Sequence, residues 1–239
     1  MKISTTILTI MLVLFVTGIF ASNVAFRRQY EKVDKSDLYW NYSKIADKPF
    51  RHVKLDGGNL TNIVFEQNPH CSARVLDYWG GYEKDSIKAY VDKDTLHVKF
   101  VNTYANLIEK SWLQSNVLIL ISAPELLSIE GVNTNFHMNK LNQKSLDIRL
   151  SGRSRIGIES NNHHFDNLNI TQRDSSQVII KMNPELKSSP IMSVQKVTAD
   201  LQGRTLLDIG RAYVNELNLN VADSSAIILS GYALKTINR

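Results

Sequence analysis

A strand–turn–strand unit repeats through the C-terminal half of the chain, and it constrains the fold more than any other feature. Each copy opens with alternating apolar residues, breaks at a short polar turn, and resumes the alternation ten residues after its start. Four copies align without a gap: 146–159, 168–181, 197–210 and 217–230. Internal repeats of this length are typical of stacked architectures. We therefore predict an all-β domain built as a β-solenoid, with an antiparallel sandwich or barrel as the alternative.

The turns of these units alternate between two chemistries. Gly152 and Gly203 occupy the turn of the first and third units, where glycine adopts a positive φ without a Cβ clash. Asp174 and Asp223 occupy the same offset in the second and fourth units, and aspartate tolerates left-handed conformations. The turns are thus predicted to stack along one edge of the domain.

This edge is the predicted binding surface. It carries three arginines, which can hold carboxylates through two hydrogen bonds, beside the two aspartates. The predicted binding-edge residues are Arg153, Arg173, Asp174, Arg204 and Asp223.

The N-terminus indicates the compartment. Lys2 precedes an apolar stretch over 7–26, which Arg27 and Arg28 end, so 1–26 is predicted to be a signal anchor or a signal peptide. Candidate cleavage positions lie near Gly18 and Ala21, and an uncleaved anchor is favoured. The positive charge after the span argues for a cytoplasmic body. Export is nevertheless preferred, because short spans with one leading lysine commonly translocate the rest of the chain.

The rest of the chain divides into a polar linker, 27–49, and the β domain, 50–239. Within the domain, strands are predicted around Val53, Ile63 and 74–76, and a hairpin-like turn at 92–94. The apolar run 117–122 is typical of a buried strand, and 127–138 is a degenerate copy of the unit. The segment 102–115 is expected to hold a loop or a short helical turn.

Net charge and cysteine content exclude several kinds of partner and site. The net charge is +5 with no run of five Lys or Arg residues, and no basic stripe interleaves with aromatic residues, so nucleic acid is not a predicted partner. Cys71 is the single cysteine, which excludes an intrachain disulfide and a cysteine-based zinc site. The predicted partners are a membrane, through the N-terminal segment, and an acidic polysaccharide or an envelope protein.

No catalytic, metal or cofactor motif stands out, and none is predicted. Hydrolysis of a glycosidic bond needs two carboxylates flanking that bond, and the candidates are Asp147, Asp174, Asp208 and Asp223. The simpler interpretation of Asp174 and Asp223 is that both bond turn backbone. The histidine pair 163–164 lies in a connector without metal-ligand spacing.

Two stretches and the turn units together carry a family resemblance. The stretches are FRHVKLDGGN at 50–59 and ILISAPEL at 119–126. The chain, over about 50–234, resembles the autotransporter-adhesin head GIN domain family, which is common in Bacteroidetes. The resemblance implies a right-handed parallel β-helix that is exported or membrane-anchored. This chain departs from the family's Gly-Ser-Gly turns at Asp174 and Asp223, and the family supplies no catalytic residue.

Two function classes are consistent with these observations. The first is a non-enzymatic, adhesive or scaffold-like cell-envelope module, anchored in a bacterial membrane, that faces the periplasm or exterior and binds glycan or envelope components. The second is a carbohydrate-active enzyme, a polysaccharide hydrolase or lyase on a β-helix scaffold. The sequence does not indicate an oligomeric state.

Overall fold

The structure is a computed structural model that forms two compact units, 1–42 and 43–239. It describes residues 3–32, 36–37, 39–77, 86–101, 117–139, 143–159, 164–181, 193–210, 212–231 and 233–234. The predicted loop at 102–115, His163 and the charged tail 235–239 lie outside the described residues.

The first unit contains one long helix, α1 (Ile3–Glu31). Its 29 residues would extend about 43 Å, more than the ~30 Å hydrocarbon core of a bilayer. Thr9 and Thr17 donate their hydroxyls to the carbonyls of Thr5 and Val13 at 2.8 and 2.6 Å, so both polar groups are satisfied inside the helix. By length and composition α1 can span a membrane, and a signal sequence meets the same criterion.

The second unit is made of strands that begin with the short β1. Nine strands precede the four clean repeat units, and their bounds are β1 (Tyr42–Ala46), β2 (His52–Asp56), β3 (Asn62–Gln67), β4 (Ser72–Leu76), β5 (Ile87–Asp92), β6 (Thr95–Phe100), β7 (Val117–Ala123), β8 (Ser128–Val132) and β9 (Asn135–Asn139). The repeat units then supply two strands each: β10 (Ser145–Ser151), β11 (Arg155–Glu159), β12 (His164–Gln172), β13 (Gln177–Lys181), β14 (Ser193–Leu201), β15 (Leu206–Gly210), β16 (Tyr213–Val221) and β17 (Ala226–Leu229).

The strands form two sheets. The nine-stranded sheet has the order β1-β4-β7-β3-β9-β11-β13-β15-β17, and the eight-stranded sheet has the order β16-β14-β12-β10-β8-β2-β6-β5. The two strands of one repeat unit lie in different sheets, and each pairs in parallel with the corresponding strand of the next unit. One cluster of buried apolar side chains takes residues from both sheets.

The prediction of a right-handed parallel β-helix or β-solenoid is wrong. The strands form a mixed parallel and antiparallel, sandwich-like pair of sheets. A solenoid adds each coil to the end of the preceding one, but here β2 lies between β6 and β8, and β3 lies between β7 and β9. Two pairs are also antiparallel, β4 with β7 and β5 with β6. The parallel stacking of the four units continues through β8 and β9 to β2 and β3, and the order of the chain breaks there, because β2 and β3 precede β8 and β9 by more than 60 residues.

The alignment of the four repeat units nevertheless matches the observed strand register. Leu146 pairs with Leu168, Leu168 with Val197, and Val197 with Leu217. These are the first residues of the four units. The hairpin-like turn at 92–94 is also confirmed, because Lys93 and Asp94 have φ of 44° and 68° and connect antiparallel β5 and β6.

Alternation of inward and outward residues positions the outer faces. Along β9, Phe136 and Met138 are fully buried between the sheets, whereas Asn135, His137 and Asn139 are partly exposed. Successive side chains of a strand point to opposite faces, so these three face outward. Alternate residues of β3, β9, β11 and β13 therefore form this part of the outer face of the nine-stranded sheet.

A candidate binding groove on the nine-stranded sheet

A polar groove of about 600 Å³ lies on the outer face of the nine-stranded sheet. Its size falls within the ~300–1,000 Å³ typical of ligand sites. The lining residues come from β3, β9, β11, β13 and the turns that precede these strands. They are Asn59, Asn62, Val64, Thr134, Asn135, His137, Asn139, Arg153, Ser154, Arg155, Ser175 and Gln177.

The first row of the groove floor is a ladder of long polar side chains. Asn135 pairs with Arg155, and Arg155 pairs with Gln177 in the parallel register. Asn62 joins the row because the amide of Asn135 donates to its Oδ1 at 2.9 Å. The next two residues in this row are Leu206 and Ala226, so the polar ladder ends at β13.

The second row of the floor includes a glycine from β11. Val64, His137, Gly157 and Ile179 are register partners across β3, β9, β11 and β13. A Cβ built on Gly157 would lie 2.7 Å from Nδ1 of His137. The imidazole ring therefore occupies the space above the glycine, and a larger residue at 157 would displace it.

The turns form one rim of the groove, and they are bonded to one another. The backbone N–H of Arg153 donates to Oδ1 of Asn133 at 2.9 Å, and the N–H of Gly152 donates to Oδ2 of Asp174 at 2.8 Å. Gly152 has φ of +66°, and a Cβ there would lie 2.4 Å from Asn133 Oδ1. Side chains from the preceding and following turns thus fix the backbone that presents Arg153.

A row of serine and threonine hydroxyls holds the inner side of the turns. Ser154 and Ser176 are buried, and each donates its hydroxyl to the carbonyl three residues earlier, at 2.6 and 2.9 Å. Both occupy the ninth position of their repeat unit. Their role is structural, because each hydroxyl bonds the backbone of its own turn.

Three buried polar atoms around the floor have no hydrogen-bond partner among the described residues: Oγ1 of Thr134, Oδ1 of Asn135 and Nε of Arg155. Asn135 already donates both amide hydrogens, to the carbonyl of Thr61 and to Oδ1 of Asn62, each at 2.9 Å. A buried polar group without a partner costs about 1–3 kcal/mol. These three atoms are buried away from solvent, so they are an energetic cost within the fold and are not open to a ligand.

The electrostatic character of the groove is basic. Its described lining contains two arginines, Arg153 and Arg155, and no aspartate or glutamate. Two acidic residues, Glu66 and Glu159, are register partners of Asn139 at the far end of the floor. Such a site favours a ligand that carries negative charge.

Of the five predicted edge residues, Arg153 lines the groove, while Arg173 contacts the other sheet. Arg173 donates to Oδ2 of Asp200 at 2.6 Å, and Asp200 also accepts from Gln202 and Asn220. Hydrogen bonds from Gln202 and Arg173 lower the pKa of the Asp200 carboxyl below its usual value. Arg173 is therefore occupied within the protein.

The other three predicted residues lie on successive turns that contact one another, since Gly203 packs against the backbone of Asp174 and Ser224 donates to the carbonyl of Gly203 at 2.7 Å. Asp174 has φ of +61° and accepts the hydrogen bond from Gly152. Asp223 is exposed in the turn after β16, and the turn that contains Gly203 and the exposed Arg204 lies between these two aspartates. Arg204 and Asp223 do not line the groove.

The remaining carboxylates that could take part in catalysis and the single cysteine do not line the groove. Asp147 accepts from Nδ2 of Asn169 at 2.7 Å, and Asp208 accepts from the backbone of Gly210 at 2.9 Å. Cys71 is partly buried, with Sγ 3.7 Å from the carbonyl of Phe50. Among the described residues, no group of three or more His, Cys, Asp or Glu side chains could hold a metal ion.

The predicted binding edge consisted of turn residues, and the floor of the groove was missed. Arg155 and Gln177 directly follow Ser154 and Ser176, so they occupy the tenth position of the first two units. The third and fourth units have Leu206 and Ala226 there. This change from polar to apolar at a surface position was the available signal.

The fold and groove define a two-sheet β protein with a basic, amide-rich outer site. No family model matches the chain, and no curated protein matches it in sequence.

Several solved structures share partial similarity with the chain. A "putative adhesin" from Bacteroides fragilis has 13% identity and a TM-score of 0.45, over 78% of this chain and 95% of that one. A "putative lipid binding protein" from Parabacteroides distasonis has 13% identity and a TM-score of 0.47, over 78% and 80%. A "putative adhesin" from Parabacteroides merdae has 14% identity and a TM-score of 0.34, over 78% and 94%. These similarities assign no residue role and no ligand to this chain.

Proposed function

We propose that this chain is a non-enzymatic cell-envelope module that binds a glycan or another envelope polymer in the groove on its nine-stranded sheet. In this proposal α1 holds the chain at a bacterial membrane, and the β unit is exported to the periplasm or exterior. The domain division 1–26, 27–49 and 50–239 is part of the same proposal.

The observation that carries the proposal is the composition of the groove. Amide and hydroxyl side chains can both donate and accept hydrogen bonds, as sugar hydroxyls do. The groove combines such side chains with the two arginines Arg153 and Arg155. This combination of amide, hydroxyl and guanidinium groups supports the proposal.

The exported location is supported by α1 alone. Its described residues are all exposed, and its length exceeds that of a bilayer core. Arg27 pairs with Glu31 at 2.9 Å at the C-terminal end of the helix, where charged side chains can remain in the interface. Among the predicted edge residues, Arg153 is the one that we assign to binding, whereas Arg204 and Asp223 are retained as exposed candidates.

The experiment uses the full chain in nanodiscs and a panel of acidic and neutral polysaccharides. Retention of each polymer and the appearance of new chain ends are scored in the same samples. We expect retention of at least one polymer without new ends. New ends that disappear in Asp223→Asn would support the carbohydrate-active enzyme instead, and absence of retention across the panel would contradict the binding function.

A further inference from the structure

We propose that a second copy of this chain binds at the C-terminal end of the two sheets, where β16 pairs with β16 of the partner subunit in the antiparallel direction. Both sheet orders end there, at β16 and β17, and each of these strands has a described neighbour on one side only. No residue of β16 or β17 lines the groove, so this inference goes beyond the proposed function.

The inward-facing residues of β16 are much more exposed than their register partners one unit earlier. Leu219 and Val221 are 37% and 40% exposed. Their partners on β14, Ala199 and Leu201, are 2% and 0% exposed. These apolar side chains therefore occupy core positions of the repeat, but the described part of the chain covers them on one side only.

The last unit lacks the features that normally end a stack of repeats. A terminal repeat usually becomes polar where it would meet the next repeat, yet here Ala199 is followed in register by the larger apolar Leu219. Edge strands are usually protected by lysine, proline or other charges, and β16 contains no lysine, arginine or proline. Its one charged residue, Glu216, is paired with Lys196 at 2.8 Å. The edge is thus built to accept another strand.

The exposed part of this edge is confined to the second half of β16. Val214, near the start of the strand, is 2% exposed, and Ala233, which follows β17, is fully buried in the same apolar cluster. Exposure begins at Leu217, which is partly buried, and continues through the rest of the strand. We call 217–221 the open segment.

The open segment matches itself in the antiparallel direction. It reads Leu-Asn-Leu-Asn-Val, so its pattern of inward apolar and outward amide residues is symmetric about Leu219. An antiparallel pair centred there places Leu217 opposite Val221 of the partner subunit, and Asn218 opposite Asn220 of the partner subunit. Apolar residues then face apolar residues, and amides face amides.

The charge of the open segment favours a second copy over a charged partner protein. In a two-fold contact the same surface patch meets itself, so like charges on it would repel. The open segment is neutral and brings no such charges together. A strongly acidic or basic partner strand would find no opposite charge on it.

The first test measures the oligomeric state of the full chain in detergent by sedimentation, and we expect a dimer. Leu219→Lys places a charge among apolar side chains and should weaken dimerisation by about tenfold or more. Tyr90→Lys is the matched control and should change dimerisation by less than about twofold. Tyr90 is 56% exposed on β5, the edge strand at the other end of the same sheet.

The second test locates the contact by disulfide formation, and it also serves if Leu219→Lys folds poorly by circular dichroism. In a chain that carries Cys71→Ser, Leu219→Cys lies opposite its own copy, with Cα atoms about 4.5–5.5 Å apart, a separation that a disulfide can bridge. Val221→Cys is the control, because its own copy would lie about 14 Å away. We expect covalent dimers from Leu219→Cys and few from Val221→Cys.

Each contrary result would overturn the inference. A monomeric native chain would do so, and a monomer that dimerises after removal of 235–239 would show that the chain's own tail occupies the open segment. Equal weakening by Leu219→Lys and Tyr90→Lys would indicate that opposite ends of the sheet join. Equal cross-linking of the two cysteine variants would place the contact elsewhere. Retention of a polysaccharide tests the proposed function separately.

Discussion

The two sheets share the same repeat units, but the charged side chains on their outer faces differ in how they are paired. On the eight-stranded sheet, Lys54 pairs with Glu130 and Lys196 with Glu216, each at 2.8 Å, across neighbouring strands. On the nine-stranded sheet, Arg155 has no such partner among the described residues. One face therefore carries paired charges, whereas the other carries an arginine without a carboxylate partner among the described residues.

This difference indicates that the repeat units provide a common framework. The outward-facing side chains determine the surface properties of each face. The residues that face the core keep the same character in both sheets, as Ile148 and Ile156 show, because both are buried. The residues that face outward differ from one unit to the next, as the row of Arg155, Gln177, Leu206 and Ala226 shows. Three comparisons of variants test how independent the two faces are.

The largest change in the free energy of unfolding should come from a variant in the core that the two sheets share. Phe136 is fully buried between the sheets and lies between Asn135 and His137 on β9. Phe136→Ala should lower the free energy of unfolding by about 3–5 kcal/mol, because it removes a large core side chain and leaves a cavity. Denaturant unfolding of the full chain in detergent measures it. Asn139→Ala, partly exposed on the same strand, is the control, and a similar small loss in both would contradict the shared core.

A smaller change in the free energy of unfolding should distinguish the two outer faces. Arg173→Met should lower the free energy of unfolding by about 0.5–1 kcal/mol, since it removes a partly exposed pair with Asp200. Arg155→Met should leave that free energy unchanged or raise it slightly, because it removes an unpaired buried Nε. The same unfolding measurement compares the two variants. A larger loss for Arg155→Met would indicate that Arg155 stabilises the fold.

The smallest effect should appear only as a pH dependence. The hydrogen bonds from Gln202 and Arg173 lower the pKa of Asp200, so its ionised form stabilises the folded state. That contribution is present above the ordinary aspartate pKa of about 4 and is lost as the pH falls through the lowered pKa. The stability of the native chain and of Asp200→Asn should therefore differ at neutral pH and converge in acid. Parallel acid-unfolding curves would contradict the assignment.

The sequence predicted the local structure of the repeat units well, for a physical reason. Alternating residues such as Leu146 and Ile148 specify which side of a strand faces the core, and a turn of fixed length then specifies the register of the next unit. Gly152 and Asp174 were recognised as turn residues because few residue types accept a positive φ.

The order of strands in the sheets could not be predicted in the same way. Asn62 contacts Asn135, 73 residues later, because β3 lies beside β9. No local pattern in either strand specifies that neighbour. The groove floor depends on this contact, so it was missed together with the sheet order, and the solenoid prediction failed at the same point.

The position of β2 and β3 has a consequence for how the chain acquires its structure. His52 on β2 contacts Ser128 on β8, 76 residues further along. A chain synthesised or translocated from its N-terminus exposes one edge of β2 and of β3 until β8 and β9 have emerged. Contacts of such long sequence separation slow folding, and open strand edges promote association with other chains. One edge of β2 and one edge of β3 therefore stay open to association until residues 128–139 are available to pair with them.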